Sequence, residues 1–248
     1  MSRESYDQIA AVYATDMGQS MAFDDIGYYR TLCQGRGGRT LELGCGTGRI
    51  LLPLLKSGIA IAGVDQSPGM LEQLKQDATA LGLQPEVSLG TLTEFTTPPC
   101  KTILAPYSVV TYLTDEKQLA DFFRLAKASL AHDGLLALDT FIPRPVASFN
   151  DFRLDYRRPH AGMTLQREKR ISKLGHCNRI ERRYSLLGTA GNVEKSWTTV
   201  DVIRPWTSAE LIASASAAGL VVVAMHGDFK PLTSSTDQFV ALHFDKAA

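Results

Sequence analysis

The stretch LELGCGTGRI, residues 41–50, constrains the fold more than any other: an apolar run meets glycines at 44, 46 and 48 and then turns apolar again. Glycine has no Cβ, tolerates positive φ and lets another group approach its backbone. The pattern therefore predicts a buried strand, a tight turn and a helix packed back on the strand. Helical stretches over roughly 4–16 and 24–34 precede it, and apolar strands then alternate with helices. IAIAGVD reads as a second strand. SPGMLEQLKQDATALG reads as a helix that Ser67 can cap, with Pro68 in the first turn and Gly82 at the end. PEVSLG and KTILAP are strands three and four, residues 115–134 a helix with Leu119, Phe122, Phe123 and Leu130 near helical spacing, and GLLALDTF strand five. This βαβαβ order with apolar strands implies an α/β fold, a parallel sheet covered on both faces.

The alternation breaks after Phe141. MTLQREKRI, NRIERRYSLL and VEKSWTTVDVI predict three or four antiparallel strands, an insertion at 145–205. TSAELIASASAAG restores a helix, and LVVVAMHGDF and QFVALHF close the sheet on the far side. The insertion therefore belongs to one domain spanning 1–248, with an N-terminal helical cap at 1–37. Lys plus Arg equals Asp plus Glu at 26 each, so overall charge argues neither for a nucleic-acid binder nor for a membrane-surface protein. Cys33, Cys45, Cys100 and Cys177 are far apart and form no C-x-x-C pair, which suits a reducing compartment and disfavours a metal site. The N-terminus has no signal-peptide apolar region, and no run of about 20 apolar residues follows. The expected location is cytoplasmic.

A glycine turn after the first strand lies at the carboxyl edge of a parallel sheet, where open α/β folds bind ligands. Asp65, 21 residues beyond Gly44 at the end of the second strand, can accept hydrogen bonds from both hydroxyls of a ribose. A dinucleotide and S-adenosylmethionine both fit that arrangement. A dinucleotide fold wants G-x-G-x-x-G, with a helix N-terminus facing a pyrophosphate; here the third glycine comes one position early, which favours the methyl donor.

LELGCGTGRI, GVDQSPGML and GLLALDTF resemble the class I S-adenosylmethionine-dependent methyltransferases of the small-molecule N- and O-methylating type. The likeness covers residues 39–141 well and 206–244 more loosely. It implies a Rossmann-like, doubly wound, seven-stranded, mostly parallel sheet, with the antiparallel β segment inserted as a lid that covers the acceptor or makes homodimer contacts. By the same resemblance Gly44, Cys45 and Gly46 approach the methionine part of S-adenosylmethionine, Asp65 holds the ribose, and Gln66 and Met70 lie near ribose and adenine. Thr91 and Leu92 stand where many members read the adenine amino group with a carboxylate, and Ala105 and Pro106 offer carbonyls to the cofactor's amine. Tyr6 and Tyr13 resemble the N-terminal tyrosines that close over the cofactor; seven apart, they share a helical face.

The acceptor leaves a weaker trace, because the chemistry asks chiefly for alignment and proton removal. Tyr13, Tyr107 and His226 are the catalytic candidates, with Tyr112 lining the acceptor pocket and Asp228 beside His226. His132 and His160 read as loop residues. Residues 151–183 hold ten Lys or Arg against four acidic residues. A solvated sheet face is the plain reading, an anionic small-molecule acceptor the sharper one, and nucleic acid the third. The expected activity is methyl transfer to N or O of a small metabolite, with S-adenosylhomocysteine as product. The alternatives are a nucleic-acid or protein methyltransferase and a non-catalytic binder of the cofactor.

Overall fold

Two helices open the chain, α1 (Arg3–Met17) and α2 (Asp25–Arg36). The expected alternation follows: β1 (Thr40–Leu43), α3 (Leu51–Lys56), β2 (Ile61–Asp65), α4 (Pro68–Ala80), β3 (Glu86–Leu89), β4 (Cys100–Ala105), α5 (Glu116–Ser129) and β5 (Leu130–Phe141). Four long strands make the insertion, β6 (Phe149–His160), β7 (Met163–Leu174), β8 (Cys177–Leu187) and β9 (Val193–Ile203). Then come α6 (Ser208–Ala217), β10 (Leu220–Gly227), the two-residue β11 (Lys230–Pro231) and β12 (Phe239–Lys246). The structure is a computed structural model that describes residues 3–17, 23–144, 147–231 and 237–246. Positions 1–2 and 18–22 of the expected cap and 145–146 of the expected insertion lie outside the described residues.

Local chemistry sets the helix starts. Asp24, Ser67, Asp115 and Thr207 each accept from a backbone N–H of the first turn, and Thr207 with Glu210 forms a capping box. Each such cap is worth about 1 kcal/mol.

The main sheet runs β11-β10-β12-β5-β4-β1-β2-β3. From β3 to β5 the pairs are parallel, and β12 is antiparallel to both of its neighbours. The strand order reverses beside β1, which opens a crevice above the carboxyl ends of β1 and β4. The seven expected strands are joined by β11 at the edge. It arises because Asp228 and Phe229 take positive φ and fold Lys230 and Pro231 back on β10. Asp228 Oδ1 accepts from the N–H groups of Gln238 and Phe239, so this carboxylate ties down a turn. Strand β5 begins at Leu130, earlier than the sequence suggests, where Gly134 lets the backbone pass close to the Cys100 carbonyl.

Apolar clusters fill both faces of the sheet. Leu119, Phe122 and Phe123 of α5 and Leu211 of α6 pack on one face, and Tyr29, Leu51, Leu54 and Leu74 on the other. A third cluster joins Ile9, Ala10 and Val12 of α1 to Met70 of α4 and to Leu165 and Tyr184 of the insertion. Helix α1 is thus wedged between the main fold and the inserted sheet, which is four-stranded and antiparallel in the order β6-β7-β8-β9.

Candidate functional site

The crevice begins at the glycine turn. Gly44, Gly46 and Gly48 all take positive φ, as the pattern demands. A Cβ on Gly44 would lie 2.6 Å from Val109 Cγ2, so the turn is closed to larger residues. Asp65, at the tip of β2, accepts from Gly46 N at 2.8 Å through Oδ2 and from Ser67 N at 2.8 Å through Oδ1. Burial raises its pKa, and those backbone N–H groups oppose the rise. Each oxygen keeps a second lone pair for a ligand hydroxyl.

One cavity of about 570 Å³ starts here, and Gly44, Gly46, Asp65, Gln66, Thr91, Leu92 and Pro106 line it. Cys45, Met70 and Ala105 do not line it: each is buried, Cys45 beneath the turn, Met70 in the cluster under α1, and Ala105 in the sheet core. Burial also pushes the Cys45 thiol up, so it stays protonated.

Above the turn the wall is aromatic. Tyr6, Tyr13, Tyr107, Tyr112 and Tyr184 line the cavity. Tyr13 Cε1 lies 4.0 Å from where a Cβ on Gly46 would stand. Tyr6 packs edge-on to Tyr13 and Tyr112, with centroids 5.8 and 6.3 Å away, and its hydroxyl is 3.0 Å from that of Tyr112. The shared face of Tyr6 and Tyr13 is therefore real and points into the cavity. Burial raises the pKa of Tyr6, Tyr13, Tyr107 and Tyr112, so near neutral pH these rings are hydrogen-bonding and π surfaces rather than bases.

Asp139 holds Tyr107 in place. Buried in β5, it accepts from Tyr29 Oη at 2.6 Å, Tyr107 N at 2.8 Å and Ser108 N at 3.0 Å. Tyr107 and Ser108 both sit at φ 58°, a left-handed conformation that costs of order 1 kcal/mol each and needs such support. Burial lifts the Asp139 carboxyl to about 6 against those three donors. The Arg49 guanidinium, paired with Asp25, stands 5.1 Å from the Tyr107 ring centre.

His226 is not brought to this place. It lies on β10, which β12 separates from β5, so the closing strand order carries it away from the crevice. Its Nδ1 is 2.9 Å from Tyr28 Oη, which also lies 2.7 Å from His243 Nε2. Burial first, then His226 and Arg36, lower the His243 pKa to about 4, so neutral His243 accepts the Tyr28 proton and His226 donates to the Tyr28 oxygen.

The inner face of the inserted sheet roofs the cavity with Arg167, Arg182, Tyr184, Thr199 and Asp201. Arg167 pairs with Asp16 at 2.5 Å and with Asp155 at 2.6 Å, and Arg182 pairs with Asp201. Tyr156 and Tyr184 also donate to Asp16. On the other face Arg170 and Arg179 pair with Glu181, and Arg183 with Glu168. Sequence reading missed Asp16, Asp139 and Asp201 as site residues, and singled out Arg167 and Arg182 only as part of the basic run at 151–183. Of the three carboxylates only Asp139 left a signal, an acid inside the apolar strand GLLALDTF.

The glycine turn and the carboxylate at the sheet's reversal point, with an added antiparallel sheet above them, give this chain the Rossmann-like fold of the solved methyltransferases it superimposes on. Residues 40–134 match the family described as "Methyltransferase domain". The protein named "Putative methyltransferase GWCH70_2453" of Geobacillus sp. (strain WCH70) is 32% identical over 139 residues, 54% of this chain and 53% of its own length. The chain thus spans about half of that relative. The CcbJ methyltransferase from Streptomyces caelestis superimposes with a TM-score of 0.82 at 23% identity, covering 100% of both chains. The sugar N-methyltransferase KedS8 from Streptoalloteichus sp ATCC 53650 does so with a TM-score of 0.74 at 20% identity, covering 96% of this chain and 92% of its own. Among the described residues, no helix is long and apolar enough to cross a membrane.

Proposed function

We propose that this protein transfers the methyl group of S-adenosylmethionine to a nitrogen or oxygen of a small molecule and releases S-adenosylhomocysteine. One observation carries the reading: the cavity that begins at Gly46 and Asp65 continues, without a break in its lining, to the tyrosines and the roof. Its volume, about 570 Å³, lies in the range of small-molecule sites. When bound, the sulfonium supplies an already activated methyl group. Gly44 and Gly46 would border the methionine part, Asp65 and Gln66 the ribose, and Thr91 and Leu92 the adenine. Cys45, Met70 and Ala105 support the pocket from beneath. Tyr13 and Tyr107 flank the reacting end and align the acceptor there, and their raised pKa values assign them no role as bases. The inserted sheet acts as a lid that keeps water out of the reacting end.

Small-molecule acceptors are favoured over polyanions by the state of the basic residues. Arg167, Lys169, Arg170, Arg179, Arg182 and Arg183 are all in ion pairs. Arg157 is bonded to Gln166, and Arg158 to carbonyls at the end of α1. The sugar substrate in the name of KedS8 agrees with a small acceptor. Incubation with methyl-labelled S-adenosylmethionine and a metabolite extract, followed by mass spectrometry, should give a labelled small molecule. Label found only in RNA, DNA or protein, or in nothing, would sink the reading.

A further inference from the structure

The roof contains a carboxylate whose hydrogen bonding is incomplete. Asp201 on β9 is 5% exposed and lines the cavity. Arg182 Nη1 takes its Oδ2 across the β8–β9 pair, whereas its Oδ1 is shielded from solvent and has no donor among the described residues. Leaving a buried acceptor unmet is costly, and a buried ion pair is weak grounds for stability, since apolar residues of similar volume commonly serve as well. A pair kept at a cavity wall with one oxygen unmet suits a ligand that donates to it.

We propose that Asp201 anchors the acceptor by taking an N–H from a primary or secondary amine, so that the molecules methylated here are amines. The charges argue for this. The charged residues lining the cavity are Asp16, Asp65 and Asp201 against Arg167 and Arg182, and both arginines are already matched by carboxylates. With Asp65 at the ribose end, the two carboxylates and two arginines of the roof balance, so an incoming carboxylate or phosphate would find no unmatched cation among the described lining residues, whereas an amine would find the unmet Oδ1 of Asp201. The aromatic lining argues the same way. Tyr6 and Tyr112 stand near enough to Asp201 for its charge, after burial, to raise both their pKa values. With Tyr13 they present neutral π faces that attract an ammonium or its methylated product. The step balances without a further reactant: the amine lone pair forms the N–C bond, the C–S bond breaks with its electron pair left on sulfur, and the methylammonium product sheds a proton to water.

This inference rests on the methyl-transfer reading above, and its test separates the two. Labelled S-adenosylmethionine is offered with glucosamine, ethanolamine and spermidine, and in parallel with N-acetylglucosamine, glycerol, glucuronate and glucose 6-phosphate. S-adenosylhomocysteine binding is measured by calorimetry on the same protein. The expected result is label in one or more of the amines and in none of the parallel set. Asp201→Asn should then lose about tenfold to a hundredfold in kcat/KM for that amine, the range of one hydrogen bond to a charged group, and weaken its binding to the S-adenosylhomocysteine complex alike. S-adenosylhomocysteine affinity itself should stay within about threefold. Asp201→Glu, which keeps the charge paired to Arg182 but moves the oxygens, guards against misfolding and should show a similar loss. Product binding with no amine labelled, label confined to the parallel set, or an unchanged kcat/KM in both variants overturns the proposal. Absence of product binding would instead overturn the cofactor site.

Discussion

The two ends of the cavity are made of different material. At the sheet end the cavity is lined by the bare backbone of Gly44 and Gly46 and by the Asp65 carboxylate, all within 25 residues between Leu41 and Asp65, with Gln66, Thr91, Leu92 and Pro106 beyond them. At the roof they are side chains from α1, β7, β8, β9 and the segment after β4, brought together from across the chain. A backbone cradle fits one ligand that does not vary. A side-chain roof can change its ligand without disturbing the fold, which under the proposed function makes it the place for acceptor choice.

The sharpest break between the two ends is Asp65→Ala. It removes an oxygen pair already held by Gly46 N and Ser67 N, and with it the proposed site for ribose hydroxyls. Two charge-assisted hydrogen bonds are worth roughly 3 kcal/mol or more together, so S-adenosylhomocysteine affinity should fall at least about a hundredfold with folding retained. Arg182→Met at the roof should leave that affinity nearly unchanged. A calorimetric titration of both decides whether the ends are separable; equal losses would mean that they are not.

Smaller effects are expected within the glycine turn. Gly44→Ala places a Cβ 2.6 Å from Val109 Cγ2 at φ +72°, and about 1–3 kcal/mol of stability should be lost in urea unfolding. Gly46→Ala finds open space, its nearest atom being the Tyr13 ring at 4.0 Å. Its strain is about 1 kcal/mol, and ligand affinity should suffer more than stability. If the two variants lose stability equally, packing beneath the turn is not what distinguishes them.

Asp7 links the two ends. Its Oδ1 accepts from Ser67 Oγ at 2.6 Å and from Gly69 N at 2.8 Å, which seats α1 on the start of α4, next to Asp65. The other end of α1 is held by the inserted sheet, through Asp16 with Arg167 and through Thr15 with His160. Asp7→Ala should weaken S-adenosylhomocysteine by about threefold to tenfold, the loss of one such bond, and speed amide exchange in α1. Unchanged exchange there would show that the insertion alone holds the helix.

The contrast also explains what the sequence could show. The sheet end was legible because strand, turn and carboxylate are neighbours along the chain and their spacing is fixed by a single βαβ unit. The basic run at 151–183 looked like unmatched charge because its partners are set by cross-strand register and by α1. Asp201 meets Arg182 across 19 positions, and Asp16 meets Arg167 across 151. His226 looked well placed because it ends an apolar strand, yet nothing local says that β12 lies between that strand and β5. Asp139 could have been noticed as an acid in a buried strand, but Tyr29 and the left-handed Tyr107 that use it are fixed only by the folded sheet.

The smallest expected effect is a near-cancellation on the sheet side. Asp139 is lifted by burial from 3.8 to about 6, so between pH 4 and 6 the folded state holds the proton more tightly, and stability falls as pH rises through that window by about 3 kcal/mol. His243 is lowered by burial, and then by His226 and Arg36, from 6.5 to about 4, so the unfolded state protonates first and stability rises with pH over nearly the same window by a similar about 3 kcal/mol. The inserted sheet behaves otherwise. Arg170 and Arg179 hold Glu181 below the usual carboxylate range, and Lys169 and Arg167 outweigh burial to do the same for Asp155. Their stabilisation is lost only as pH drops further, through those lowered values. Burial also raises Glu42 and Asp65, so urea unfolding between pH 4 and 6.5 should show the natural protein's stability falling as pH rises. Measured as a difference from the natural protein, Asp139→Asn should flatten that fall and His243→Gln steepen it. Two variants that both keep the natural slope would show that neither group titrates as its surroundings require.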